Sequence, residues 1–255
     1  MTRSGLAQRL GFYVKRAWLR PSLPMTRKAK GAVRLGSGYG GWWLEDDDAI
    51  KGATIISAGV GEDMSFDIDM ARRYGCTVVL VDPTPRAMVH VREVQMVLAG
   101  TAPDTVSPAV RAYDLNGVKA EQFVLEPCAL WHQDTVVRFY APAQAHNVSH
   151  SITNLQNTES FIEVQARPLS SLLDRHGIAD LALFKLDIEG AETMVLSDMM
   201  ARSILPRQIL VEFDDLTFPS RRSGIAVRHI YERLIAAGYD LIAVEAQNFT
   251  FRRRF

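Results

Sequence analysis

Cysteine is nearly absent from this 255-residue chain, Cys76 and Cys128 being the only two. Two thiols so far apart build neither a disulfide framework nor a zinc site, and a reducing, cytoplasmic setting is the simplest reading. Net charge is absent too, with 29 Lys and Arg against 29 Asp and Glu. That balance gives no global electrostatic case for a nucleic-acid partner. No run approaches the roughly 18 consecutive apolar residues of a membrane span. The N-terminus is basic, but Gln8, Arg9, Lys15 and Arg16 interrupt its apolar residues, so it lacks a signal-peptide core. There is no internal repeat, and Pro and Gly nowhere cluster strongly enough to split the chain. What remains has the composition of an ordinary globular protein and the length to bury a sizeable core.

The most informative stretch runs from Lys51 to Pro85. Thr54 to Ser57 is a short apolar, β-branched run that breaks at Ala58-Gly59-Val60-Gly61. A helical pattern follows in Phe66, Ile68, Met70, Ala71 and Tyr74, and a second β-branched run, Thr77 to Val81, stops at Asp82. This is a βαβ unit in which Gly59 and Gly61 let backbone approach a ligand at a helix N-terminus. Asp82 lies 21 residues beyond Gly61, where a carboxylate at a strand end takes two ribose hydroxyls.

Which ligand is the harder question. A nicotinamide or flavin fingerprint ends in a third glycine beneath a pyrophosphate. Here that position is Met64, preceded by Glu62 and Asp63, and two carboxylates at the helix N-terminus repel phosphate. A ligand with a ribose and a cationic amino-acid end, such as S-adenosyl-L-methionine, fits better. An NAD(P)-dependent oxidoreductase is the rival reading, and a non-catalytic S-adenosylmethionine-binding protein is another.

The rest of the chain alternates strand and helix, so a doubly wound, mostly parallel sheet is expected. Helices are predicted over 86–98, 168–176 and 224–237, and strands over 123–125, 135–140, 161–166, 209–212, 240–246 and 249–252. The run 180–187 is almost continuously apolar, as in a strand buried on both faces. Residues 1–50 form a separate N-terminal portion ahead of a domain over 51–255. Residues 1–44 carry nine Lys or Arg and no acid. Leu6, Leu10, Tyr13, Val14, Ala17 and Trp18 share one side of a helix. Such a helix either packs on the domain or on a second copy of the chain, or lies on an anionic membrane surface; packing is the preferred reading. The segment Gly36 to Trp43, four glycines beside three aromatics, reads equally as a loop closing over a ligand and as a linker plugging the core edge. His146 and His150 sit in a polar stretch without a clear third ligand, so no metal site is expected there.

Four motifs in order, GVGEDMSFD, VDPTP, FKLDIEGAE and ILVEFD, lie within residues 55–214. Together they resemble the FkbM-type branch of the class I S-adenosylmethionine-dependent methyltransferases. The resemblance implies a seven-stranded Rossmann-like sheet and methyl transfer to a hydroxyl of a small metabolite or saccharide. It places the cofactor on Gly59, Gly61, Asp82 and Pro83, with the adenine against Cys128 and Ala129. Ser57 departs from the class pattern, which has an acid there, and Glu62 or Asp63 is expected to hold the cofactor's amino group instead. Asp187, at the end of the fourth strand and the switch point of the sheet, is the expected catalytic residue. Glu189 is a second candidate for the proton, although both acids also sit where they would cap a helix. Lys185 shares a strand face with Asp187 by period two, and an ammonium on a doubly buried strand requires a partner. That partner is expected to be Asp187 or Glu212. Asp187, Glu189 and Asp214 would together suit a magnesium ion, but their spacing does not demand one.

Overall fold

The computed structural model describes residues 27–140, 161–217 and 220–254. The helix expected over Leu6–Trp18 and the stretch holding His146 and His150 lie outside these residues.

The chain opens with three short strands, β1 (Arg27–Lys28), β2 (Ala32–Leu35) and β3 (Trp42–Glu45). The anticipated βαβ unit follows as β4 (Thr54–Ala58), α1 (Ser65–Tyr74) and β5 (Thr77–Val81). Next come α2 (Pro85–Leu98), α3 (Pro108–Arg111), β6 (Phe123–Glu126), β7 (Ala129–Leu130), β8 (Thr135–Tyr140), β9 (Phe161–Arg167) and α4 (Leu169–His176). The final third is β10 (Leu183–Leu186), α5 (Glu192–Ala201), β11 (Gln208–Glu212), α6 (Arg221–Ala236), β12 (Tyr239–Glu245) and β13 (Asn248–Arg253).

Seven long strands and the two-residue β1 form one sheet in the order β1-β12-β13-β11-β10-β4-β5-β6. The five strands from β11 to β6 run parallel, and β13, β12 and β1 are antiparallel additions at one edge. From β4 the chain moves outward to β5 and β6, then returns to lay β10 on the other side of β4. The loops after β4 and β10 therefore diverge, leaving a crevice at the carboxyl ends of the strands.

Alternate strand residues feed two cores, as a doubly covered sheet requires. Ile56, Ala58, Phe184 and Leu186 pack with α4, α5 and α6 through Leu172, Leu196 and Ile230. Ile55, Val78, Leu183 and Leu210 face the opposite way, toward Phe66, Met70 and Tyr74 of α1 and Val91 of α2. The same alternation turns Ser57 and Lys185 toward α1, and the two are register partners on neighbouring strands.

Two features depart from the sequence reading. The strands at 135–140 and 161–166 do not join the main sheet. They pair antiparallel as β8 and β9 and, with β7, form a separate three-stranded sheet. Their residues alternate between exposed and partly buried, the pattern of strands with one wet face rather than two covered ones. The segment 36–43, for its part, is neither a plain loop nor a plain linker. Trp42 and Trp43 belong to β3, paired with β2 in a hairpin. Gln208 holds this hairpin to the sheet: its side chain accepts from the Glu45 N–H at 3.0 Å and donates to the Glu45 carbonyl at 2.9 Å. Thr250 donates to the Trp43 carbonyl at 2.6 Å. Buried side chains thus replace a missing strand partner for β3.

Candidate active site

A cavity of about 720 Å³ opens over the carboxyl ends of β4, β5, β10 and β11, within the range of small-molecule sites. Every residue expected from sequence to hold cofactor or do chemistry lines it except Ser57.

Its floor is the glycine turn after β4. Gly59 has φ of 79°, and a Cβ added there would lie 1.5 Å from the Asp187 carbonyl oxygen. Only glycine lets the β4 and β10 ends approach so closely. The Asp187 N–H donates to the Ala58 carbonyl at 3.1 Å, so the ladder between the two strands continues into the crevice. Gly61, with φ of 57°, has open space around it.

Asp82 locks this turn. One carboxylate oxygen accepts from the Val60 and Gly61 amides, both at 3.0 Å, and the other from the Thr84 amide and hydroxyl at 2.8 and 2.6 Å. Asp82 is thus a brace for the loop as well as a group at the cavity wall, a duty the spacing alone did not reveal. Pro83 follows it along the same wall.

Asp63 accepts from the Ser37 hydroxyl at 2.6 Å and the Ser65 amide at 2.9 Å. Burial tends to raise its pKa, but these hydrogen bonds outweigh it and leave the carboxyl below its usual range. Just ahead of α1, it fastens the Gly36–Gly41 turn to the first residue of that helix, aided by a Gly36 amide bond to Asp69 at 2.8 Å. A protein carboxylate therefore stands where a dinucleotide fold receives a pyrophosphate. Glu62 points outward, half-exposed, 3.7 Å from the Arg86 guanidinium.

On the β10 side, the Lys185 ammonium donates to the Gly59 carbonyl at 2.7 Å and lies 3.7 Å from an Asp187 carboxylate oxygen. It also sits 5.6 Å from the Trp42 ring centroid, within cation–π range. Of the two partners expected for Lys185, Asp187 is the one in ion-pair contact, because both residues leave the same strand on the same face. Glu212 and Glu189 line the same cavity. The Asp187 side chain opens onto the cavity at 30% exposure. Its surroundings are nevertheless enclosed enough that burial raises its pKa, with Lys185 opposing the rise. Glu212 is pushed up to about 7, by burial first and then by Asp187 and Glu189.

Three contributors escaped the sequence reading. Glu192 accepts from the Ile188 amide at 3.0 Å and the Gly190 amide at 3.0 Å. It thereby shapes a turn in which Glu189 (φ 59°) and Gly190 (φ 100°) are both left-handed. The available signal was an acid at the first position of a helix beside a glycine. Tyr39 stands at the mouth, 90% exposed, where partial burial and then Asp187, Glu189 and Glu212 raise its phenol pKa. Asp67, in the first turn of α1, lines the cavity although it is buried. Cys128 and Ala129 line the far wall with Leu130 and Phe139 of the small sheet. Glu126, just before them, is turned away and paired to His176 at 2.8 Å. Among the described residues, no three His, Cys, Asp or Glu side chains are gathered as metal ligands, and no helix is long and apolar enough to cross a membrane.

A sheet ordered this way, with a glycine turn and a strand-end acid at its switch point, defines a Rossmann-like fold of the class I methyltransferase type. The methyltransferase FkbM domain matches residues 52–241, and the chain belongs to that family. No curated protein matches it. Among solved structures it is similar to methyltransferase FkbM from Methylobacillus flagellatus KT, with TM-score 0.49 and 11% identity over 80% of this chain. This chain spans only 44% of that one. It is also similar to a fibrillarin/Nop5p complex, with TM-score 0.40 and 9% identity over 83% of this chain and 76% of the other. A third likeness is to a 16S rRNA (adenine(1408)-N(1))-methyltransferase variant from Catenulisporales acidiphilia, with TM-score 0.35 and 15% identity over 88% and 98%. At such scores the structural likenesses assign no substrate.

Proposed function

We propose that the chain is an S-adenosylmethionine-dependent methyltransferase acting on a hydroxyl of a small, polyhydroxylated acceptor such as a saccharide. The observation carrying this reading is the contact between Gly59 and Asp187, which sets a carboxylate of raised pKa directly beside the turn on which the cofactor would rest.

The cavity suits that cofactor. Its lining at the turn is acidic, with Glu62, Asp63, Asp82 and Asp187, which favours a sulfonium and an ammonium and disfavours phosphate. The Gly59–Gly61 turn, braced by Asp82, would hold the ribose and methionyl portions, and Cys128 and Ala129 the base. Bound there, the cofactor supplies an activated methyl group. The part of the chain's own chemistry that falls to Asp187 is to accept the acceptor's hydroxyl proton as that oxygen becomes a nucleophile. A positioned base contributes on the order of 10²- to 10⁴-fold, and alignment of the reactants contributes more. Lys185 fixes the Asp187 carboxylate and steadies its charge. Glu189, Glu212, Gln247, Asn248 and Tyr39 line the acceptor side, offering acceptors, amides and an aromatic face to a sugar-like molecule.

The test is transfer from labelled S-adenosylmethionine to a panel of hydroxylated acceptors. Asp187→Asn is expected to lower the rate at least about 100-fold while S-adenosylhomocysteine binds as before. A parent chain that binds the cofactor, transfers to no acceptor and is indifferent to Asp187→Asn is a binding protein instead. Binding of NAD in preference to S-adenosylhomocysteine would revive the oxidoreductase reading, against which the Asp63 carboxylate now stands.

A further inference from the structure

The strand-end acid that this class of site commonly uses for the cofactor's amino group is missing, Ser57 standing in its place. Both substitutes suggested by the sequence are engaged elsewhere: Glu62 lies 3.7 Å from the Arg86 guanidinium, and each oxygen of Asp63 already accepts a bond, from Ser37 and Ser65.

A third carboxylate sits where the acid is missing. Asp67 is 1% exposed and Ser57 is fully buried. The Asp67 Oδ1 and Ser57 Oγ atoms are both enclosed without a hydrogen bond of ordinary geometry. Burial raises the Asp67 pKa, while the Lys185 charge and the Ser57 hydroxyl draw it back, so the three groups are close neighbours. This follows from the register: Ser57 and Lys185 are paired across β4 and β10 on the face that α1 covers. Asp67 and Lys185 also line the same cavity. The ammonium's shortest bond goes to Gly59, and its contacts to the Ala58 carbonyl (3.5 Å) and Asp187 (3.7 Å) are long, leaving donors for an incoming anion. A buried carboxyl served only by a poorly aligned hydroxyl is costly unless a ligand completes its hydrogen bonds.

We propose that Asp67, with Ser57 beside it, receives the ammonium of an α-amino-acid zwitterion whose carboxylate is taken by Lys185, so that helix α1 supplies the acid that β4 lacks. The inference rests on the cofactor reading above and names the subsite for its methionyl end. In a doubly wound site the charge thus comes from the helix.

Calorimetric titration separates the possibilities with three probes. These are S-adenosylhomocysteine, its deaminated 2-oxo analogue and 5′-methylthioadenosine, which lacks the amino-acid end altogether. In the parent chain, loss of the amino group is expected to weaken binding at least about 10-fold, as for a charge-assisted hydrogen bond. In Asp67→Asn, S-adenosylhomocysteine is expected to fall to the level of the deaminated analogue, with 5′-methylthioadenosine unchanged. That last probe also reports whether the variant is folded. Equal discrimination by parent and variant, or an equal loss for all three probes, overturns the assignment. If the parent discriminates no amino group at all, it is overturned without any variant. If the parent binds none of the three, the cofactor reading itself fails, and the subsite with it.

Discussion

Gly59 and Gly61 have similar left-handed backbones, yet only Gly59 has a neighbour in the path of a side chain. The pair makes a controlled experiment. In Gly61→Ala the cost is the left-handed conformation alone, about 1–2 kcal/mol. In Gly59→Ala the new methyl carbon would sit 1.5 Å from the Asp187 carbonyl oxygen, against an ordinary separation of about 3.3 Å. The ends of β4 and β10 must therefore part by about 1.8 Å. That motion breaks the Asp187 N–H bond to Ala58 and the Lys185 bond to Gly59. Overpacking of this kind adds about 1–3 kcal/mol, for a total of about 2–5 kcal/mol. An unfolding entropy of about 2.1 cal/mol/K per residue over 255 residues makes each kcal/mol worth about 2 °C. Scanning calorimetry should then find Gly61→Ala lower by about 2–4 °C and Gly59→Ala lower by about 4–10 °C, with cofactor binding lost in the latter. Melting temperatures for the two variants within about 2 °C of each other would refute the claim that contact with Asp187, and not φ alone, fixes this turn.

Other outcomes follow from the acids and the hairpin. Glu192, Glu212 and Asp214 have folded-state pKa values raised to about 8, 7 and 9, burial being the largest cause for each. Unfolded, they titrate near their ordinary values of about 4. The folded chain therefore binds their protons more tightly. Its stability from these groups is complete below about pH 4 and is lost as pH rises through about 7 to 9. Asp214→Asn should melt with the parent at pH 4.5 and about 2–4 °C above it at pH 8, in melts at matched ionic strength; equal melts at pH 8 would contradict this. Replacing Gln208 by Leu leaves the Glu45 N–H and carbonyl unpaired against the sheet. A loss of about 2–4 kcal/mol is expected in urea unfolding, whereas an unchanged midpoint would show that the hairpin does not depend on it.

The sequence by itself determined the βαβ unit, the placement of the longer helices and of the main-sheet strands from β4 onward, and the central residues of the cavity lining. Those elements are local: period-two and period-3.6 apolar patterns and glycine breaks report which faces must be buried. Gly59, Asp82 and Asp187 were legible because each sits where a strand ends, and a sheet of this order brings such ends together. Tertiary structure alone decided what depends on partners far apart in sequence. The separate β7-β9-β8 sheet is an example, since β8 and β9 read individually as strands whose company is unspecified. The hairpin over the site is another, held by Gln208 and Thr250 from strands more than 160 residues away. Asp63 was read as a cofactor group; only the tertiary structure showed that it also ties the Gly36–Gly41 turn to α1 through Ser37 and Ser65. Asp67 passed as one polar residue in a helical pattern. Its buried carboxylate gains meaning only through the register that sets Ser57 beside Lys185 beneath α1, because electrostatics follow distance in space and not along the chain.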